Sequence, residues 1–107
     1  MNPQRGEVWL ADLGLAAKTR PVIVVSRFDP DAPRALILYV PLTTQNRMSR
    51  YEVAIPKVPF LDKESFANVQ GLTSTLTVRF ERRLGQLPAS VMTELKAALT
   101  DVPPPFS

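Results

Sequence analysis

The tightest constraint on the fold is how the apolar residues are grouped. Through the first three quarters of the chain they come in short runs, rich in β-branched side chains and cut off by turn residues, so few segments have the length for a helix. Glu7-Val8-Trp9-Leu10-Ala11 follows the breaker Gly6 and reads as a first strand. Pro21-Val22-Ile23-Val24-Val25, after a loop from Gly14 to Thr19, is β-branched and apolar throughout and predicts a buried central strand. Asp29-Pro30-Asp31-Ala32-Pro33 is turn chemistry, and Ala35-Leu36-Ile37-Leu38-Tyr39-Val40 after it predicts a third strand. Tyr51-Glu52-Val53-Ala54-Ile55 alternates as a strand with one wet face does, and Pro56 and Pro59 end it. Phe66 to Gln70 and Leu76 to Phe80 read as two more strands, broken at Gly71.

Helical period appears only near the end. Val91, Leu95, Ala98, Leu99 and Val102 form one apolar stripe on a helix starting near Pro88 and stopped by Pro103-Pro104-Pro105. Several short strands and one amphipathic helix, without repeat or linker, predict a mainly β fold with a C-terminal helix: a small twisted barrel or curled sheet. Residues 1–107 read as one domain, with a short Pro-rich tail over 103–107. No run approaches the roughly 18 apolar residues of a membrane span, and the N-terminus lacks a secretory pattern, which predicts a cytoplasmic protein without a membrane partner.

The chemistry is narrowed by what is missing. The chain has no Cys, so it has neither disulfides nor thiolate metal sites, and no His, so imidazole acid–base catalysis and a serine-hydrolase triad are excluded. The close carboxylate pair Asp29 and Asp31 sits in a Pro-flanked turn where Asp serves backbone hydrogen bonding. No Gly-rich phosphate loop is present, and no metal or cofactor is expected. Lys and Arg total 13 against 10 acids; Lys18, Lys57, Lys63 and Lys96 account for four and Arg for the other nine. That bias favours forked contacts to phosphate or carboxylate. Arg and hydroxyl groups cluster at two strand ends, Lys18-Thr19-Arg20 entering the second strand and Thr43-Thr44-Gln45 leaving the third, and these ends could face each other across a sheet. An Arg fork beside hydroxyl donors suits phosphate oxygens. Taken on physics alone, a solvated cation and ordinary strand-end threonines fit the same residues.

Three ordered segments weight the first reading. Arg5-Gly6-Glu7-Val8-Trp9-Leu10-Ala11-Asp12-Leu13, Thr19-Arg20-Pro21-Val22-Ile23-Val24-Val25-Ser26 and Val40-Pro41-Leu42-Thr43-Thr44-Gln45 resemble the first strand, the Arg-Pro strand and the Pro-x-Thr segment of MazF/PemK toxins. Asn68-Val69-Gln70 resembles the segment holding a family Gln, and Arg82 to Leu87 the lead into the final helix. The resemblance implies an SH3-like barrel of the CcdB/MazF kind, a homodimer, and a toxin inhibited by an acidic cognate antitoxin. It also implies metal-independent cleavage of single-stranded RNA, leaving a 2′,3′-cyclic phosphate and a 5′-hydroxyl. Carried over by motif, Arg20 and Thr43 are the catalytic pair, with Lys18, Thr19, Thr44, Gln45, Gln70 and Arg79 as RNA contacts. The loop from Leu13 to Thr19 is shorter than the common family form, and Ala67 and Val69 stand where some members carry an Arg and an acid. Trp9 is expected in the core, and Arg82 and Arg83 either track phosphates or form a solvated face. Two other readings remain. One is a gyrase-inhibiting toxin like CcdB, whose Trp-Gly-Ile-like C-terminus is not matched by Pro103-Pro104-Pro105-Phe106-Ser107; the other is a noncatalytic RNA-binding barrel.

Overall fold

The computed structural model describes residues 2–14, 19–26, 31, 36–46, 48–49 and 51–101. Seven strands are present: β1 (Glu7–Asp12), β2 (Thr19–Val24), β3 (Leu36–Thr43), β4 (Glu52–Ile55), β5 (Ser65–Asn68), β6 (Thr73–Leu76) and β7 (Phe80–Gln86), followed by the helix α1 (Ala89–Asp101). All pairings are antiparallel, in the order β4-β5-β3-β2-β1-β7, with β6 attached to β3 off this path. The path does not close on itself, so the barrel-like form is that of a curled sheet.

The β3 strand organises the sheet. One edge pairs with β2, Val24 opposite Tyr39 through Val22 opposite Pro41. Its other edge changes partner along its length: Leu36 to Tyr39 pair with β6, and Leu42 and Thr43 pair with β5. Pro41 lies between the two stretches, where an absent N–H costs no ladder bond on the side that is changing partner.

Alternation along β1, β2 and β3 sends apolar side chains to both faces. One face, with Val8, Ile23, Val40, Leu42, Val53, Ile55 and Ala67, is covered by Val91 and Leu95 of α1. The helix begins after Pro88, whose carbonyl accepts the Val91 N–H, and its apolar stripe is the one the sequence predicts; Val102 and the tail 103–107 lie outside the described residues. The opposite face carries Trp9, Ala11, Val22, Val24, Ile37, Tyr39 and Phe80. Among the described residues no helix covers this face; the Phe80 ring stands edge-on to both Trp9 and Tyr39, with centroids 6.2 Å from each. Trp9 is a core residue, as expected from the sequence.

The sequence reading errs in the segment 66–86. Phe66 to Gln70 is only partly a strand, because Val69–Gly71 forms a 3-10 turn capped by the Asn68 side chain. Leu76 to Phe80 is no strand: Leu76 ends β6, Thr77–Arg79 is a second 3-10 turn, and Phe80 opens β7. The alternation that marks strands is lost in Phe80-Glu81-Arg82-Arg83-Leu84-Gly85-Gln86 because β7 is an edge with two register shifts against β1. Charges along an edge strand disfavour its pairing with other chains.

Glu7 ties the first strand to this edge. Its carboxylate accepts the Gln4 backbone N–H at 2.7 Å, the Trp9 indole N–H at 3.0 Å and the Arg83 Nε–H at 2.6 Å. Arg83 is therefore held by an ion pair. Burial by itself would raise the Glu7 carboxyl, but the three hydrogen bonds and the Arg83 charge outweigh it and hold it below its ordinary range. Gly85, on the same strand, admits the Phe60 ring directly onto the backbone, where any Cβ would collide with it.

Two stability predictions follow from these contacts. A carboxyl depressed in the folded state stabilises fully above its unfolded-state value, and the contribution is lost as pH falls through the folded value. Glu7→Gln is expected to lower unfolding free energy at neutral pH by about 1–3 kcal/mol, with the gap to wild type closing as the pH is taken below 4.5; urea titrations at both pH values measure this. Gly85→Ala is expected to cost about 1–3 kcal/mol through overpacking against Phe60, read as a lower urea midpoint with an unchanged slope.

Candidate active site

Arg20 lies near the start of β2 and Thr43 ends β3. In the β2–β3 register Val22 faces Pro41; continuing it by two residues sets Arg20 opposite Thr43, on the same face of the sheet. The ladder proper stops at Val22 and Pro41, and both continuing strands carry a proline near that point, Pro21 and Pro41, without an N–H to offer. The strand ends that the sequence marked as possible neighbours thus leave the ladder side by side, two residues beyond its last pair. Arg20 is exposed and Thr43 half-buried. Ala11 lies across from Arg20 on β1, and its small side chain leaves the guanidinium uncrowded on that flank.

The Thr43 hydroxyl is oriented by its own turn. Its Oγ1 accepts the Gln45 backbone N–H at 3.1 Å, so the hydroxyl hydrogen is directed elsewhere. The segment after it is pinned by similar local bonds: Met48 N–H to Asn46 Oδ1, Ser49 N–H to Glu52 Oε1 and Tyr51 N–H to Ser49 Oγ. These bonds hold Met48 in the left-handed region at φ 58.

Beside Thr43 is a polar hollow of 110 Å³ lined by Thr43, Ser49, Glu52, Asn68 and Gln70. Glu52 and Asn68 are directly opposite on β4 and β5, while Thr43 is opposite Phe66 one step along, so Thr43, Asn68 and Glu52 share a face. Gln70 is brought in by the turn after β5, because Gly71 lets that turn lie on the Pro41 ring; a Cβ there would come 2.7 Å from Pro41 Cγ. Of the residues marked from sequence, the hollow unites Thr43 with Gln70. Ser49 and Glu52 were not marked as site residues. Glu52 reads from sequence only as the wet face of a strand, and nothing local tells that pairing puts it across from Asn68.

The other marked residues are distributed around this face. Thr44 points the other way, into a separate hollow of 340 Å³ with Leu10, Pro21, Phe60, Lys63 and Arg82. Gln45 is exposed in the turn that orients Thr43. Thr19 pairs with Asp12 at the open end of the β1–β2 ladder, and Arg79 reaches the same place, its Nη1 3.8 Å from Asp12 Oδ2. Arg79 is thus half-exposed and beside a carboxylate. Lys18, with most of the loop it belongs to, lies outside the described residues, as do Asp29 and Pro30 of the predicted turn.

Together these features define a class: a small, mainly antiparallel, barrel-like protein with one C-terminal helix and a site of arginine, hydroxyl and amide groups on the sheet face away from that helix. Residues 4–102 match the model of the PemK-like, MazF-like toxins of type II toxin–antitoxin systems, and the chain belongs to that family of RNA-cleaving toxins. An endoribonuclease from a mycobacterial species, solved in complex with its cognate antitoxin, is similar at 25% identity over 96% of this chain and 99% of its own, with a TM-score of 0.78. Mycobacterium tuberculosis toxin MazF-mt6 shares the fold with a TM-score of 0.77, at 24% identity over 89% of this chain and 93% of its own. MazF from Deinococcus radiodurans does so with a TM-score of 0.74, at 24% identity over 92% and 94%.

Proposed function

We propose that this toxin cleaves single-stranded RNA at short sequences without a metal, leaving a 2′,3′-cyclic phosphate and a 5′-hydroxyl, and that Arg20 and Thr43 carry the reaction. The observation that supports this most is the β2–β3 register, which, extended two residues past its last pair Val22–Pro41, brings Arg20 level with Thr43 on one face. In the reaction the ribose 2′-hydroxyl gives its proton to solvent as its oxygen attacks the neighbouring phosphorus, the bond to the 5′-oxygen breaks with water supplying the proton of the new 5′-hydroxyl, and charge builds on the nonbridging oxygens. A guanidinium aimed at those oxygens stabilises the transition state more than the ground state, and the Thr43 O–H donates a second hydrogen bond. Arg20 acts through its charge and its forked geometry and not as an acid. A chain without His or Cys has poor means of holding a catalytic transition metal. No helix among the described residues is long and apolar enough to cross a membrane. We place the activity in the cytoplasm because that is where a cleavable RNA substrate is found.

The toxin's partners in this reading are an acidic cognate antitoxin and a second copy of itself. Support for the dimer comes from Leu36, Leu38, Leu72 and Leu76, each 43% exposed. Leu36 is opposite Leu76 across β3 and β6, and Leu38 and Leu72 share a hollow with Leu99 of α1. An apolar patch of this kind on a small domain is characteristic of an interface, and a two-fold axis would cover it with its own copy.

Single-turnover cleavage of an unstructured RNA in excess EDTA tests the mechanism. Arg20→Ala is expected to lose on the order of 10²–10³ in rate with the circular dichroism spectrum unchanged. Thr43→Ala should lose less, Thr43→Ser should keep most activity, and Arg20→Lys should recover little because a point charge does not reproduce a fork. Near wild-type cleavage by Arg20→Ala, or cleavage abolished by EDTA and restored by magnesium, overturns the assignment; a wild type that cuts no RNA but binds gyrase favours the CcdB-like reading. Sedimentation at micromolar protein should give a dimer that Leu36→Arg or Leu76→Arg shifts toward monomer. A wild-type monomer mass at every concentration, with cleavage retained, defeats the dimer.

A further inference from the structure

Resting on the ribonuclease reading above, we infer that the RNA strand crosses the rim of the sheet beside Thr43 and seats the nucleotide next to the cut in the hollow behind Thr44. The base lies on Phe60, and the phosphate on its far side meets Arg82 and Lys63. Thr43 and Thr44 are consecutive, yet they line different hollows: Thr43 is on the side of the proposed scissile phosphate, Thr44 on the side of a 340 Å³ hollow. That second hollow belongs to the face of Leu10 and Pro21, at the same end of the sheet as Arg20. A strand held at Thr43 therefore reaches it by passing over the end of β3.

The hollow is a built one. Arg82 is opposite Leu10 and Leu10 opposite Pro21, so the three form a row across β7, β1 and β2 on one face. The loop after β4 closes over this row with Phe60 and Leu61. It is fixed by the Leu61 N–H on the Val58 carbonyl at 3.2 Å and by the buried Ser65 hydroxyl, which donates to the Lys63 carbonyl at 3.0 Å. The Phe60 ring is half-buried and rests on the backbone of Gly85, which settles its position while it lines the hollow. A fixed aromatic ring over an apolar floor suits a flat base, and stacking accepts any of the four.

Charge separates this hollow from its surroundings. Arg79 is beside Asp12 and Arg83 is held by Glu7. Arg82 and Lys63 are exposed, and among the described residues neither side chain has a hydrogen bond or an ion pair. Asp62 lines the same hollow beyond ion-pair distance of both, and two cations against one carboxylate leave it positive. Inward from Arg20 and Thr43 the sheet face is Val22, Trp9 and Tyr39, apolar and packed, with nothing for a polyanion. The unpaired cations are over the rim. An acidic peptide could use the same charges, but only an RNA already held at Thr43 arrives at Thr44 by covalent continuity.

The test uses a sequence that the wild type cuts, found by mapping cut ends on a random RNA pool, and its 2′-O-methyl form, which has no nucleophile. Arg82→Gln and Lys63→Gln should each make the plot of log Kd against log salt shallower by about 0.7, the share of one phosphate contact on a single strand. Lys96→Gln, on α1, should keep the wild-type slope. Removing the base on one side of the cut should weaken wild-type binding about tenfold, and Phe60→Leu should bind the intact and abasic strands alike. Slopes unchanged in both Arg82→Gln and Lys63→Gln, in a toxin that cuts RNA, overturn the path and leave the nuclease standing. A full abasic effect in Phe60→Leu overturns the base seat. If Arg82→Gln weakens binding of a peptide of alternating Glu and Leu but not of the oligonucleotide, the hollow belongs to a protein partner and the RNA path is overturned. A wild type that cuts no RNA in the pool removes the nuclease reading, and the subsite with it.

Discussion

A single helix cannot cover two apolar faces of a sheet, and most of this architecture answers that constraint. The α1 helix seals the face of Ile23, Val40 and Leu42, leaving Trp9, Val22, Tyr39 and Phe80 to be buried without a second helix. The sheet buries them by curling, and a bulged edge strand brings Phe80 against Trp9 and Tyr39. That curled face also carries the site. Beyond Val22 and Pro41 the apolar residues give way to Arg20 and Thr43, so the polar groups occupy the rim of a face whose interior is already packed. Strand pairing, and not a loop, fixes the backbone at both Arg20 and Thr43, which is the rigidity that the proposed electrostatic catalysis requires.

Much of the fold was legible because its early strands carry apolar side chains on both faces and therefore read as unbroken apolar runs. Pro21 to Val25 and Ala35 to Val40 fall close to β2 and β3, and the stripe from Val91 to Leu99 gives α1. The segment from Thr77 to Gln86 was not legible. A charged edge strand needs no alternation when only Phe80 and Gly85 along it are buried, and the 3-10 turn before it imitates a strand by its β-prone Thr77 and Val78. The strand β3 also runs past Pro41 to Thr43, where a proline would ordinarily argue for an end, because its edge changes partner there.

The site divides along the same line. Arg20, Thr43 and Gln70 sit in motifs whose local chemistry is visible along the chain. Glu52 and Ser49 enter through strand pairing and a turn, which are nonlocal, so their part in the hollow has no sequence signature. Arg83 shows the converse: a cation in a basic cluster looks available for phosphate until Glu7, far away in sequence, is found holding it at 2.6 Å. The positive charge counted from composition thus overstates what the surface presents to RNA.

The strand that changes partners at Pro41 links two regions that otherwise have nothing in common. Its first half carries Leu36 and Leu38 of the exposed leucine patch, and its last residue is Thr43. At about 3.3 Å per residue the two ends are roughly 20 Å apart, yet they belong to one extended backbone. Whatever covers the leucine end therefore touches the same strand that ends at Thr43.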